Sequence, residues 1–323
     1  SLLSAMSTND AERASLSSAR GVGSMFGNMI PGMIGPFVIQ MFGDRSSTGY
    51  MITGVACALI GFVICFLHYF LTEERTEVGE ETKADDIQFS DILVVVRKNR
   101  PFVALCIHGV CICLMQYAAQ TLGMYMYSAV YHDVTYQAIS QILSSPFMIG
   151  SMIVVPFLCK KLGLEKLIRY SLLIGGGICA VLFVMHLVMP VHPLVHGIIL
   201  GLGTGFSFVS IQMQWGLVGE AIDYNELVTG KRTEGSIYGT FNLTRRIGQT
   251  IGNSAAVLAL GWIGYDATIA AAGGVQAASV LTGIKVLCVL VPGIFVLGSW
   301  AAFKYVWNIT PEVKAEMAAK KAA

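Results

Sequence analysis

The stretch "FNLTRRIGQTIGNSAAVLALGWIGY", Phe241 to Tyr265, decides how this chain is read. A bilayer crossing takes about 20 mostly apolar residues, and this segment is long enough, yet it carries Arg245 and Arg246 side by side. An Arg at the bilayer centre costs ~2.5–3.5 kcal/mol on insertion scales, so it normally faces a bundle interior or a water-filled cavity. At helical spacing Tyr238, Asn242, Arg246, Thr250 and Asn253 fall on one stripe, with Gln249 at its edge. Arg245 points about 100° away. The pattern places Arg246 in a polar cavity and pairs Arg245 with a carboxylate on a neighbouring helix or loop. The competing reading is that both arginines snorkel to the headgroups.

The rest of the 323-residue chain has a membrane composition. Charged residues are 13% and hydrophobic residues 54%, and mean hydropathy is +0.66; soluble domains carry roughly 25% charge. The net charge of +1 gives no footing for nucleic acid. The eight Cys lie mostly in apolar runs with no zinc spacing, so neither a metal site nor a disulfide framework is expected. Eight spans are expected, at 17–41, 49–71, 102–130, 137–159, 167–189, 194–219, 236–264 and 277–306. With the first residues in the cytoplasm, sixteen of the 21 Lys and Arg fall in cytoplasmic segments and only Arg45 falls outside. Both ends are then cytoplasmic. Without an initiator Met, the chain reads as a fragment whose beginning is missing.

A long polar interval, Thr72 to Arg100, divides the sequence. The expected organisation is an N-terminal bundle remnant of two spans (1–72), a cytoplasmic loop (73–100), a six-helix bundle (101–309) and a cytoplasmic tail (310–323). Ile87, Phe89, Ile92, Leu93 and Val96 recur at helical spacing, which suits a helix on the membrane surface or one packed beneath the bundle. Six spans after a long loop suggest one half of a transporter built from two six-helix halves, with four spans missing from the front. Gly23–Gly27 and Gly248–Gly252 are small-xxx-small pairs that let helices approach closely. "GLGTG" at Gly201 lacks a preceding strand and reads as packing, not as a nucleotide loop.

Polar residues within spans are the candidate site. In the first span Arg20, Ser24 and Asn28 recur every four residues. The third offers Gln116, Tyr117 and Gln120, and the sixth Gln212, Gln214 and Trp215. Amides and phenols both donate and accept, which suits polyhydroxyl ligands, while Trp215 is either a sugar platform or an interface anchor. His108 is expected to be packed or hydrogen-bonded. No HExxH, GxSxG or Walker loop is present, no catalytic pair appears, and no Asp or Glu falls clearly within a span. The chain is therefore read as no enzyme, with no cofactor.

Two further segments carry a resemblance. "STNDAERASLSSAR" (Ser7–Arg20) and "GEAIDYNELVTGKRTEGSIYGTFNLTRRIGQTIG" (Gly219–Gly252), with "VRKNRPF" and "KKLGLEKL" between them, are similar to motifs of the glycoside–pentoside–hexuronide:cation symporters. These form the melibiose permease group of the major facilitator superfamily. The resemblance covers the chain as the family's helices five to twelve. It implies an all-α polytopic membrane protein of the major facilitator fold. It also implies import of a sugar, glycoside or hexuronide with Na⁺ or H⁺ by alternating access, in the cell inner membrane and as a monomer.

On that resemblance Arg20 lies near the sugar site and Asn242 lines the sugar pocket. Gln214 falls in the helix-ten pocket region, and Arg246 matches the basic residue of the family's helix eleven that connects to a carboxylate network. Asp10, Arg13, Asp223, Arg232 and Glu234 fall in the cytoplasmic gating motifs. Ile211 stands where melibiose-type members place a Trp, which argues against a melibiose-like substrate. The cation site is expected in the missing N-terminal part. Two alternatives stay open: a lipid-moving relative on the same fold, and a non-transporting membrane sensor or scaffold.

Overall fold

The computed structural model describes residues 47–71, 95–230, 234–272 and 274–322, together with 23, 26, 27, 38, 41 and 42. The chain divides into two compact units, Ser1–Asp86 and Ile87–Ala323. Every regular element among the described residues is a helix.

In the first unit α1 spans Ser47–Leu71. It is apolar all round, with the rings of Phe62, Phe66 and Phe70 in contact along one edge. A helix with no polar face has no aqueous side to present and suits lipid. The expected span at 17–41 lies almost wholly outside the described residues.

The second unit holds α2 (Arg100–Val130), α3 (Thr135–Leu162), α4 (Leu164–Val188), α5 (Pro193–Thr229), α6 (Glu234–Trp262), the short α7 (Ala267–Ala271), α8 (Ala278–Val306) and α9 (Pro311–Ala322). Helices α2, α4, α5 and α8 pack on one another, with α3 against α5 and α6 against α2. Six helices among the described residues are long and apolar enough to cross a membrane, and they include α1, α2, α4, α5 and α8. At 29 residues α6 is long enough but is not among them. Its polar stripe, the one read from sequence, dilutes its hydropathy.

Glycine sets how closely these helices approach. A Cβ on Gly248 would come within 2.9 Å of the Val110 carbonyl, and one on Gly252 within 3.1 Å of that of Leu114, so α6 lies directly on the α2 backbone. The "GLGTG" run is packing: Gly201 and Gly205 face Ser144 and Phe147 of α3, and Gly203 faces α4. Wider π turns close α2 at Met126–Val130, interrupt α8 at Val286–Leu290 and close it at Ala302–Val306. The second lies immediately before Pro292, which has no N–H to give to a regular turn.

One boundary differs from the sequence expectation. The segment from Glu220 onward, read as a loop, continues α5 to Thr229, where Gly230 caps it at φ 72°. The extension is amphipathic: Leu217, Val218, Ala221, Ile222 and Asn225 are buried. Asn99 caps α2 by accepting from the Phe102 N–H and donates its amide to the Ala221 carbonyl at 2.8 Å. Lys314 of α9 pairs with Glu220 at 2.7 Å, and Arg169, paired with Glu165, donates to the Phe303 carbonyl. These contacts fasten one end of the bundle. Only residues 95–98 of the amphipathic segment before α2 are described; they are helical, with Val95 buried. At the opposite end a ring nitrogen of His186 meets one of His196 at 3.0 Å between α4 and α5, beside Tyr127 and Tyr131. In the loop there Asp266 caps α7, and the Thr268 hydroxyl and N–H hold its carboxyl below the usual range.

Candidate functional site

Only one face of α6 is packed within its unit. Ile237, Phe241, Gly248, Gly252, Ala256 and Leu260 are buried. The remaining surface is divided by chemistry. Leu243, Ile247, Ile251 and Leu258 form an exposed apolar sector. Beside it, over about 120° at 3.6 residues per turn, run Tyr238, Asn242, Arg246, Gln249, Thr250 and Asn253, exposed or half-buried. A transmembrane helix in contact with both lipid and water has this division.

The polar sector is ordered by its own hydrogen bonds. Arg246 Nη1 donates to Gln249 Oε1 at 3.0 Å, and Thr250 Oγ1 to the Arg246 carbonyl at 3.0 Å. Asn242 Nδ2 donates to the Tyr238 carbonyl at 3.1 Å, which leaves its Oδ1 free to accept. The sector extends onto α2, where Thr121 donates to Asn253 at 3.1 Å and Gln116 and Gln120 are exposed. Tyr117 is half-buried at the α2–α6 seam, its Cβ against Gly252. Among the described residues no carboxylate lies within ion-pair distance of Arg246.

Arg245 departs from its expected pairing. Its guanidinium lies over the Trp215 ring, 5.2 Å from the centroid, and no carboxylate among the described residues pairs with it. Its half-buried stem occupies the space left by Gly109, where a Cβ would approach Arg245 Cγ to 3.1 Å. A cation over an indole face is an attractive contact worth ~0.5–2 kcal/mol depending on desolvation, while Arg245 Nε is buried without a hydrogen-bond partner among the described residues. Trp215 also meets Tyr238 at 5.4 Å and Phe241 edge-on at 5.5 Å. Trp215 is half-buried, packed by these three side chains.

Gln214 is not brought to the polar sector. It is 1% exposed, with Nε2 donated to the Ile211 carbonyl and Oε1 buried without a partner. His108 is fully buried and hydrogen-bonded through Nδ1 to Ser299 of α8, as a packed histidine should be. Asp223 lies half-buried in the α5 extension and Glu234 opens α6. Arg20, Ser24, Asn28, Asp10, Arg13 and Arg232 lie outside the described residues. Thr121 was missed from sequence, because a lone Thr in an apolar run gains meaning only from its contact with Asn253.

The family model for "MFS/sugar transport protein" matches residues 1–309. The chain belongs to this family. Membership places it among transport proteins of the major facilitator superfamily, all-α and polytopic, and not among enzymes, in agreement with the motif resemblance. Similar proteins include the glucuronide carrier protein homolog of Escherichia coli (strain K12), 28% identical over 95% of this chain and 64% of that protein. The isoprimeverose transporter of Lactiplantibacillus pentosus is 26% identical over 100% of this chain and 66% of its own length. A putative sulfoquinovose importer of Salmonella typhimurium (strain LT2) is 25% identical over 90% of this chain and 59% of its own. The chain thus spans slightly less than two thirds of these family members.

Proposed function

We propose that this chain forms the greater part of a secondary transporter that moves a sugar, glycoside or hexuronide in symport with Na⁺ or H⁺ by alternating access. The observation that carries the reading is the division of α6: a polar sector centred on Arg246 beside an apolar sector suited to lipid. In this reading Asn242 and Arg246, with Gln116, Tyr117 and Gln120 of α2, line the substrate path. Acidic partners for Arg246 come from the other half of the transporter, and a charge pair across two halves is a natural two-state contact. The names of the relatives include a glucuronide carrier and a sulfoquinovose importer, and a cation in the path suits such acidic sugars.

Counterflow in vesicles containing the full-length protein tests this, with a panel of labelled neutral and acidic glycosides. Accumulation of at least one, stimulated by a Na⁺ or H⁺ gradient in active uptake, is the expected result. Exchange of lysolipid with no exchange of any sugar would favour a lipid carrier.

The proposed location is the inner membrane, with both ends of this chain cytoplasmic. In a variant without the eight native cysteines, Cys at Thr48 or Asp133 should react with an impermeant reagent added to intact cells, and Cys at Glu312 only after lysis. Labelling of position 312 in intact cells would invert the orientation.

A further inference from the structure

We infer, on the sugar-transport reading above, that Tyr238 is a stacking platform for the substrate's sugar ring and that Arg245 holds the platform in place. Tyr238 and Arg245 stand seven residues apart, two turns of α6, and both reach Trp215 of α5. The Tyr238 ring is 5.4 Å from the indole and inclined by 31°, and the guanidinium is 5.2 Å from it. Phe241, between them in sequence, meets the indole edge-on at 87°. Gly109 of α2 completes the seat, since a Cβ there would press to 3.1 Å on both Arg245 Cγ and Phe241 Cε2. Trp215 is thereby half-buried, whereas Tyr238 keeps 40% of its surface exposed.

An aromatic face carries partial negative charge, and the C–H bonds on one side of a sugar ring present partial positive charge to it. Tyr238 stands at the edge of the polar sector. Asn242 follows about 5.4 Å further along the axis, one helical turn, with an acceptor oxygen free. Arg246 follows after a second turn. A pyranose lying on Tyr238 therefore directs its hydroxyls to Asn242, and an acidic substituent toward Arg246. Arg245 acts at one remove: its charge and stem fix Trp215, and Trp215 fixes the tilt of Tyr238.

The test is the apparent affinity and maximal rate of counterflow for the best wild-type substrate, at equal surface-labelled protein. Tyr238→Phe keeps the ring and should stay within about twofold of wild type, while Tyr238→Leu should raise KM about tenfold with maximal rate preserved, as loss of one aromatic contact predicts. Arg245→Gln should raise KM in the same direction, and Arg245→Lys, which keeps a cation over the indole, should recover most of it. An unchanged KM in Tyr238→Leu would overturn the platform, as would a fall in maximal rate alone, which marks a gating contact. Binding to purified wild type and Tyr238→Leu, both monodisperse, separates affinity from folding. If wild type binds and exchanges no sugar at all, the transport reading fails first and the platform fails with it.

Discussion

Arg246→Ala should abolish active uptake while leaving the protein in the membrane in normal amounts. The side chain is exposed on the polar sector and its nearest partner, Gln249, is on its own helix. Truncating it opens no cavity in the bundle, so folding should be spared. On the proposed symport reading, acidic partners from the other half would lose their counter-charge, and removing one member of a buried pair costs ~3–5 kcal/mol. Initial uptake should therefore fall by at least about a hundredfold. Arg246→Lys should retain much more activity, because a flexible ammonium keeps the charge while losing the guanidinium fork. Arg245→Ala should be milder, acting through Trp215. The measurement is surface-normalised initial uptake with and without a cation gradient. Normal uptake by Arg246→Ala beside failure of Arg245→Ala would move the functional charge to position 245.

The second large effect is on folding. Gly248→Leu should prevent assembly of the second unit. Even a Cβ at this position would lie 2.9 Å from the Val110 carbonyl and 3.0 Å from Cys113 Cβ, and backbone cannot yield as a flexible side chain can. Overpacking typically costs ~1–3 kcal/mol, so Gly248→Ala should already lower the melting temperature of the purified protein by about 5–10 °C. Gly261→Ala, on the same helix with nothing within 4 Å of its Cβ position, is the control and should not lower it. Equal melting temperatures for the two alanine variants would contradict the α2–α6 contact.

The sequence showed more of the spans than of the contacts between them. The ends of α2, α4 and α8 follow from lengths of apolar sequence, which lipid selects directly. The α6 stripe was legible because helical period places Asn242, Arg246 and Asn253 together whatever packs nearby. The α5 extension was read as a loop because Glu220, Asp223 and Glu226 end the apolar run; yet Leu217, Ala221 and Asn225, one turn apart and buried, carried the signal of a helix leaving the membrane. The fate of Trp215 could not be read. How much of an indole is covered depends on Arg245 and Tyr238 arriving from another helix, and on Gly109 of a third leaving room for Arg245. Gln214 was misleading for a related reason: an amide in a span satisfies either a ligand or its own helix, and here its amide nitrogen bonds to Ile211.

The most direct test of the account is substituted-cysteine accessibility around α6 in the full-length protein. Cysteines at Asn242, Thr250 and Asn253 should react with a small water-soluble thiol reagent, and saturating substrate should slow the reaction at Asn242. Cysteines at Leu243, Ile247 and Leu258 should remain unreactive, although they are as exposed on the helix, because lipid and not water covers them. Equal reactivity of the two sectors, or reaction of the apolar sector alone, would contradict a substrate path along this face.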